Sequence, residues 1–251
     1  MTESRPTSFF TSPQGRRIAY HLTEGTGPAI VFLGGFKSDM GGTKAVHLEA
    51  WAKATGRAFL RFDYSGHGES SEKFTDGAIG DWFEDACAAL ELIDGPALLV
   101  GSSMGGWISL LVSRAMPQKV AGLVTIAAAP DFTEDSMWAG FDDAQKAELM
   151  AGQVALPSDY GDPYIITRRL IEEGRTRLVL RDPLPLSFPV RFLQGTADAD
   201  VKLSVALRLL DHASGPDMRL TLVDGADHRF SDDDCLALIV TAIEEVLARA
   251  N

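Results

Sequence analysis

Hydrophobic and polar positions along the chain switch between two periods. Ser8 to Thr11 and Arg17 to Thr23 flank Pro13-Gln14-Gly15, the signature of a hairpin at the start. Ala29-Ile30-Val31-Phe32-Leu33 is a short apolar run that stops at Gly34-Gly35, as a buried strand does. Thr43 to Thr55 has helical spacing and ends at Gly56. Ala58 to Asp63 reads as the next strand, and Gly80 to Ile93 as a helix closed by Gly95-Pro96. Ala97-Leu98-Leu99-Val100-Gly101 runs straight into a helix from about Met104 to Ala115, and Val120 to Ala127 is apolar throughout. Further on come a strand at Val190 to Leu193, a helix from Val201 to His212, a strand at Met218 to Val223 and a last helix, Asp232 to Ala250.

Fully apolar strands separated by amphipathic helices predict a mostly parallel α/β sheet covered on both faces, with the first hairpin as an antiparallel edge. Residues 131–187 break the rhythm. No clean strand shows there, the composition turns polar, and helical pieces at Asp142 to Gly152 and Tyr164 to Glu173 are joined by Pro/Gly-containing loops. The expectation is a core of residues 1–130 and 188–251 with a lid, residues 131–187, over an active site; a plain surface excursion is the alternative.

Composition narrows the function classes. The 251 residues include 23 Lys and Arg against 35 Asp and Glu, a formal net charge of −12, with 45% hydrophobic residues. Such a chain is not disordered, is long enough for one large α/β domain, and does not live by contact with nucleic-acid phosphates. Cys87 and Cys235 lie far apart with no CxxC or Cys/His cluster, which argues against a disulfide framework or a metal site. No stretch approaches the roughly 20 apolar residues of a membrane span, so stable membrane insertion is not expected. The start, Met1 to Pro6, lacks a basic segment followed by an apolar one, and with free cysteines this points to a reducing cytoplasm.

The chemistry centres on Gly101-Ser102-Ser103-Met104-Gly105, a G-x-S-x-G set between a strand and a helix. A nucleophile held in so sharp a turn leaves no room for side chains two residues to either side, hence the glycines. By register the nucleophile is Ser103, not Ser102, near the amino end of a helix that favours developing negative charge. A Gly/Ser turn serving close packing is the plainer alternative. A serine hydroxyl needs a base. Of five histidines, His228 lies in Asp224-Gly-Ala-Asp-His-Arg-Phe-Ser231, the loop between the last strand and the last helix. His21 falls in the early strand pair, His47 on the first helix, and His212 at a helix C-terminus, where a cation would cap the dipole. His67, in Asp63-Tyr-Ser-Gly-His-Gly-Glu-Ser70, is the rival base; otherwise its loop is a glycine-rich turn whose polar groups pin their neighbours.

The carboxylate that would orient the imidazole is best placed at Asp198, in Gly195-Thr-Ala-Asp-Ala-Asp-Val201, leaving Asp200 to cap the helix opening at Val201. Asp131 is the alternative acid, and Asp227 is expected to hold its own loop. Two N–H groups aimed at an oxyanion would come from Met104 and from Phe36, after Gly34-Gly35. Met137, Trp138 and Phe141, with Trp107 after the elbow, are candidates for an apolar substrate pocket, or for ordinary packing at helical spacing.

With these residues placed, the chain resembles the α/β-hydrolase superfamily over essentially its full length. Within it, the sequence is most similar to the mycophenolic acid acyl-glucuronide esterase and mitochondrial palmitoyl-protein thioesterase family. The likeness is carried by Gly35-Phe-Lys-Ser-Asp-Met-Gly-Gly-Thr-Lys-Ala45, Arg61-Phe-Asp-Tyr-Ser-Gly66, Asp94-Gly-Pro-Ala-Leu-Leu-Val-Gly-Ser-Ser-Met-Gly-Gly-Trp107 and Asp227-His-Arg229. The resemblance implies an eight-stranded, mostly parallel sheet with helices on both faces and a helical lid. It also implies a serine hydrolase for carboxylic esters or acyl thioesters, with Ser103, Asp198 and His228 as triad and Phe36 and Met104 as oxyanion donors. No metal or organic cofactor is implied; the partners are a small-molecule ester or acyl thioester, or an acylated protein, and no nucleic acid. An acyltransferase or carbon–carbon bond hydrolase would use the same triad. A haloalkane dehalogenase would need Asp at position 103, and a binding protein on this fold would normally lack a triad member.

Overall fold

The computed structural model describes residues 6–157 and 163–250. Residues 1–5, read above for an export signal, residues 158–162 of the segment read as a lid, and residue 251 lie outside the described residues.

The first half of the chain runs β1 (Ser8–Thr11), β2 (Arg17–Thr23), β3 (Thr26–Leu33), α1 (Thr43–Thr55), β4 (Arg57–Phe62), α2 (Ile79–Leu90), β5 (Ala97–Ser102), α3 (Met104–Ala115) and β6 (Val120–Ile126). It continues with α4 (Asp143–Met150), β7 (Gln153–Leu156), β8 (Tyr164–Thr167), α5 (Arg168–Gly174) and β9 (Leu184–Pro185). The last part is β10 (Val190–Gly195), α6 (Leu203–His212), β11 (Ala213–Ser214), β12 (Met218–Val223) and α7 (Asp233–Leu247). Eight strands form one sheet in the order β1-β2-β4-β3-β5-β6-β10-β12. All neighbours from β4 to β12 pair parallel, and β1 and β2 form the antiparallel edge. The expected α/β-hydrolase fold is present.

Two-sided burial explains the unbroken apolar strands. Ile30 and Phe32 of β3 and Leu98 and Val100 of β5 pack with Leu48 of α1 and Ile239 and Ile243 of α7. Their sequence neighbours Val31, Leu33 and Leu99 face the opposite layer, with Trp82 of α2 and Ile108 and Leu111 of α3. Successive strand side chains point to opposite faces, so both parities must be apolar when both faces are covered.

The segment between β6 and β10 differs from its sequence reading. The stretch from Tyr164 to Glu173 is not one helix: β8 comes first, and Thr167 then caps α5 by accepting the Leu170 N–H at 3.1 Å. β8 pairs antiparallel with β7, in a region where no clean strand was expected, and buries Val154 against Ile166. Tyr-Ile-Ile-Thr satisfies helical and strand periods equally over so short a span, and pairing with β7 decides between them. β9 and β11 add a small parallel pair outside the main sheet.

This segment is held together, and to α6, by ions. Asp131, fully buried, accepts the N–H groups of Val179 at 2.8 Å and Leu180 at 3.0 Å and pairs with Arg181. Asp135, in a π-helical turn at Thr133–Trp138, pairs with Arg181 and with Arg208 of α6. Partial burial would raise the Asp135 carboxyl, but hydrogen bonds and charge from Arg181 and Arg208 outweigh it and hold its pKa below the ordinary 3.8. A depressed folded pKa means a contribution complete above the ordinary value and lost as pH falls through the folded one. Amide exchange at residues 133–138, corrected for its intrinsic pH dependence, should therefore be constant from about pH 5 upward and accelerate below about pH 4. Asp135→Asn should show the faster exchange already at pH 6.

Candidate active site

β5 ends at Ser102, α3 begins at Met104, and Ser103 occupies the corner between them with φ 54° and ψ −116°. A non-glycine residue in that region is strained by about 1–3 kcal/mol and must be held there by its surroundings. The Ser103 N–H donates to Ile126 O at 2.9 Å, while its carbonyl accepts from Gly106 at 2.9 Å and Ala129 at 3.1 Å. Glycine at 101 and 105 is a packing requirement: a Cβ on Gly105 would stand 2.0 Å from Leu33 O, and one on Gly101 2.4 Å from Gly105 O.

Asp198 and His228 come to this corner from the ends of β10 and β12. The Ser103 hydroxyl faces His228 Nε2 at 3.1 Å, and His228 Nδ1 stands 2.9 Å from Asp198 Oδ2. The Asp198 side chain is fully buried and that of His228 partly so. Nδ1 carries the proton given to Asp198, which leaves the Nε2 lone pair to accept from Ser103. The other Asp198 oxygen accepts the N–H groups of Asp200 at 2.9 Å and Val201 at 2.8 Å. Burial would push the Asp198 carboxyl up, yet the bonds from His228, Val201 and Gln194 hold it below its ordinary range. Asp200 does not cap a helix at Val201. α6 opens at Leu203 after Lys202, with no side-chain cap, and the N–H groups of Asp200 and Val201 before it go to Asp198.

The other acids and histidines have separate partners. Asp131 holds the segment after α5, as above. Asp227 accepts the Phe230 N–H at 3.1 Å within its own loop. His212 stands in the last turn of α6, as expected, and its Nε2 lies 2.8 Å from Asp182 O. His67 Nε2 accepts the Lys37 N–H.

Gly35 passes beside the elbow, where an added Cβ would stand 3.5 Å from Ser103 Cβ, and Phe36 follows it. Met104 is the first residue of α3, so its N–H has no acceptor within the helix. Ser103, Phe36 and His228 open on a cleft of about 670 Å³ whose walls include Phe132, Met137, Leu156, Tyr164 and Val201. Of the sequence candidates for the pocket, Met137 is on this wall. Trp107 is fully buried beneath it, donating Nε1–H to Arg177 O at 3.2 Å. Trp138 lies under Arg175, at 4.5 Å from its ring centroid, and Phe141 is buried in the core. These three pack the segment rather than line the cleft.

Sequence reasoning missed Phe132, Leu156 and Tyr164, and also Gln194, whose Nε2–H donates to Asp198 Oδ2 at 2.9 Å. Gln194, near the end of β10, is fully buried, and a buried amide marks a hydrogen-bond partner in the interior. Among the described residues Asp198, Asp200 and His228 offer ligand atoms within 4.8 Å of one another, but two of these groups are already bonded to each other.

A family model for the alpha/beta hydrolase family matches residues 30–248. The chain is 35% identical over 243 residues to the palmitoyl-protein thioesterase ABHD10, mitochondrial, of Rattus norvegicus, covering 96% of this chain and 82% of that one. Among solved structures, a putative hydrolase from Agrobacterium vitis S4 superposes with a TM-score of 0.93 at 40% identity, covering 96% of this chain and 98% of the other. Alpha/beta hydrolase domain-containing protein 10 from mouse superposes with a TM-score of 0.90 at 32% identity, over 98% of this chain and all of that one. With a sharp strand-to-helix turn at Ser103 in that sheet and a match across most of its length, the chain belongs to the alpha/beta hydrolase family.

Proposed function

We propose that the protein hydrolyses carboxylic esters and acyl thioesters through a Ser103–His228–Asp198 triad and an acyl-enzyme. The observation that carries this reading is the hydrogen-bond chain from the Ser103 hydroxyl through His228 to buried Asp198, beside an apolar cleft. Ser103 Oγ attacks the acyl carbonyl as His228 Nε2 takes its proton, and Asp198 stabilises the imidazolium without taking the proton itself. The N–H groups of Met104 and Phe36 receive the developing oxyanion. His228 then protonates the departing alcohol or thiol, and water repeats the sequence on the acyl-enzyme.

The relatives named as palmitoyl-protein thioesterases support a thioester as the substrate class. The aromatic and aliphatic walls of the cleft suit an acyl chain, whether carried by a small molecule or by a protein. Residues 131–187 supply Phe132, Met137, Leu156 and Tyr164 to those walls, which supports a lid that selects the acyl group. Among the described residues no helix is long and apolar enough to cross a membrane, and Cys87 and Cys235 are free thiols, in keeping with a reducing compartment.

A fluorophosphonate probe should label Ser103 in the folded protein, and acyl-CoA thioesters and p-nitrophenyl esters should yield free acid. Labelling elsewhere, or no labelling with intact fold, would count against the triad. Acyl transfer to an added alcohol or thiol in preference to water would favour an acyltransferase.

A further inference from the structure

His67 takes no part in the Ser103–His228–Asp198 chain, and both of its ring nitrogens are committed elsewhere. Nε2 accepts the backbone N–H of Lys37 at 3.1 Å, and Nδ1 lies 3.1 Å from Ser65 O. A backbone N–H only donates, so Nε2 must carry a lone pair and Nδ1 the proton, given to the Ser65 carbonyl. The ring is 4% exposed and walled edge-on by Tyr64, Phe74 and Trp82, with centroids 5.7, 5.3 and 5.2 Å away. Trp82 Nε1–H donates to the same Ser65 carbonyl at 3.0 Å, which fixes the acceptor that orients the imidazole. Burial lowers the His67 pKa to about 4 against the upward pull of the Ser65 carbonyl, so the ring stays neutral at ordinary pH.

The N–H that His67 accepts belongs to the residue after Phe36. Lys37 has φ 57°, a left-handed conformation that is unfavourable for a residue with a side chain and needs an outside restraint. The restraint is built on both sides of this peptide. Phe36 is wedged against Phe74 at 4.8 Å and Trp82 at 5.9 Å, two of the rings that also hold His67. Further along the same loop, Asp63 accepts the Met40 N–H at 2.6 Å. A rigid polar acceptor inside an aromatic cage is more than packing requires, since a phenyl ring would fill the same space.

We propose that His67 is a positioning residue for the reaction: through the Lys37 N–H it sets the Phe36–Lys37 peptide, and with it the direction of the Phe36 N–H toward the oxyanion. This rests on the reading of Phe36 as an oxyanion donor. Preorganised donors lose their effect when they must be reoriented as charge develops, so the consequence falls on the transition state and not on substrate binding.

His67→Phe keeps a ring in the cage and removes the acceptor, whereas His67→Gln restores an acceptor near the Nε2 position. The measurements are kcat and KM on a short-chain p-nitrophenyl ester, per site titrated with fluorophosphonate, and the affinity of an aryl trifluoromethyl ketone whose adduct places an oxyanion in the hole. In His67→Phe, kcat should fall about 10- to 100-fold, KM stay within about twofold, and the ketone weaken by the same factor as kcat. His67→Gln should recover a large part of both losses. A lowered melting temperature with kcat and ketone affinity unchanged would overturn the proposal and leave only a structural role. Retained activity in Ser103→Ala, or a ketone inert toward the unaltered protein, would instead sink the reading beneath it. If His67→Phe does not fold, nitrogen NMR of the unaltered protein decides. Protonated Nδ1 with bare Nε2 supports the arrangement, and the opposite tautomer overturns it.

Discussion

Ser103→Ala should lower ester and thioester turnover by about 10⁴-fold or more, with the fold intact. The expectation follows from what the substitution leaves behind. In the proposed mechanism the Phe36 and Met104 N–H groups and the cleft still bind and polarise the carbonyl, which sustains a residual rate over water, but no group remains to form the acyl-enzyme. A second substitution separates chemistry from strain. Ser103→Gly should be equally inactive but more stable than Ser103→Ala by about 1–2 kcal/mol, because glycine adopts φ 54° without a Cβ penalty. Product release and denaturation midpoints on the same preparations test both statements. Turnover above about one part in a hundred in either variant would remove the serine from the mechanism.

Asp198→Asn should cost about 10³- to 10⁴-fold in kcat with little change in KM. One carboxylate oxygen accepts the N–H groups of Asp200 and Val201, and the other accepts from both His228 Nδ1 and Gln194 Nε2. An asparagine satisfies the first pair with its carbonyl oxygen and then points its NH₂ at two donors. His228 escapes the conflict by moving its proton to Nε2, which leaves Ser103 facing a donor and without a base. Asp198→Ala removes the conflict along with the orientation, so the comparison reports on the tautomer itself. Steady-state kinetics together with imidazole nitrogen NMR read the two quantities. If Asp198→Asn keeps the Nδ1–H tautomer and loses activity all the same, the account of its role is wrong.

Much of the site was legible because its parts obey local steric rules. Gly101 and Gly105 mark an elbow whatever the rest of the chain does, since the turn itself excludes their side chains. Asp198 and His228 were readable from position: each follows a strand, and in a parallel sheet the residues after the strands meet at one edge. The pocket was not legible. Met137 and Trp138 are adjacent in one π-helical turn, yet one lines the cleft and the other lies under Arg175 and Lys146. Spacing in sequence does not say which side of an isolated turn meets the core.

His67 shows the same division in a single residue. Its glycine-rich loop after β4 made it a reasonable rival to His228, and nothing in the neighbouring sequence reveals that Lys37, 30 positions earlier, supplies the N–H that it accepts. The run of amino acids determined the sheet, the elbow and the chain positions of the three groups that meet there. Apolar periodicity, glycine sterics and strand ends are properties of short segments, and short segments carry them wherever they are placed. Only the tertiary structure decided which histidine is buried as an acceptor, which amide steadies Asp198, and which side chains line the cleft. Those assignments depend on directional hydrogen bonds and on packing between segments far apart in sequence, and neither exists until the layers close.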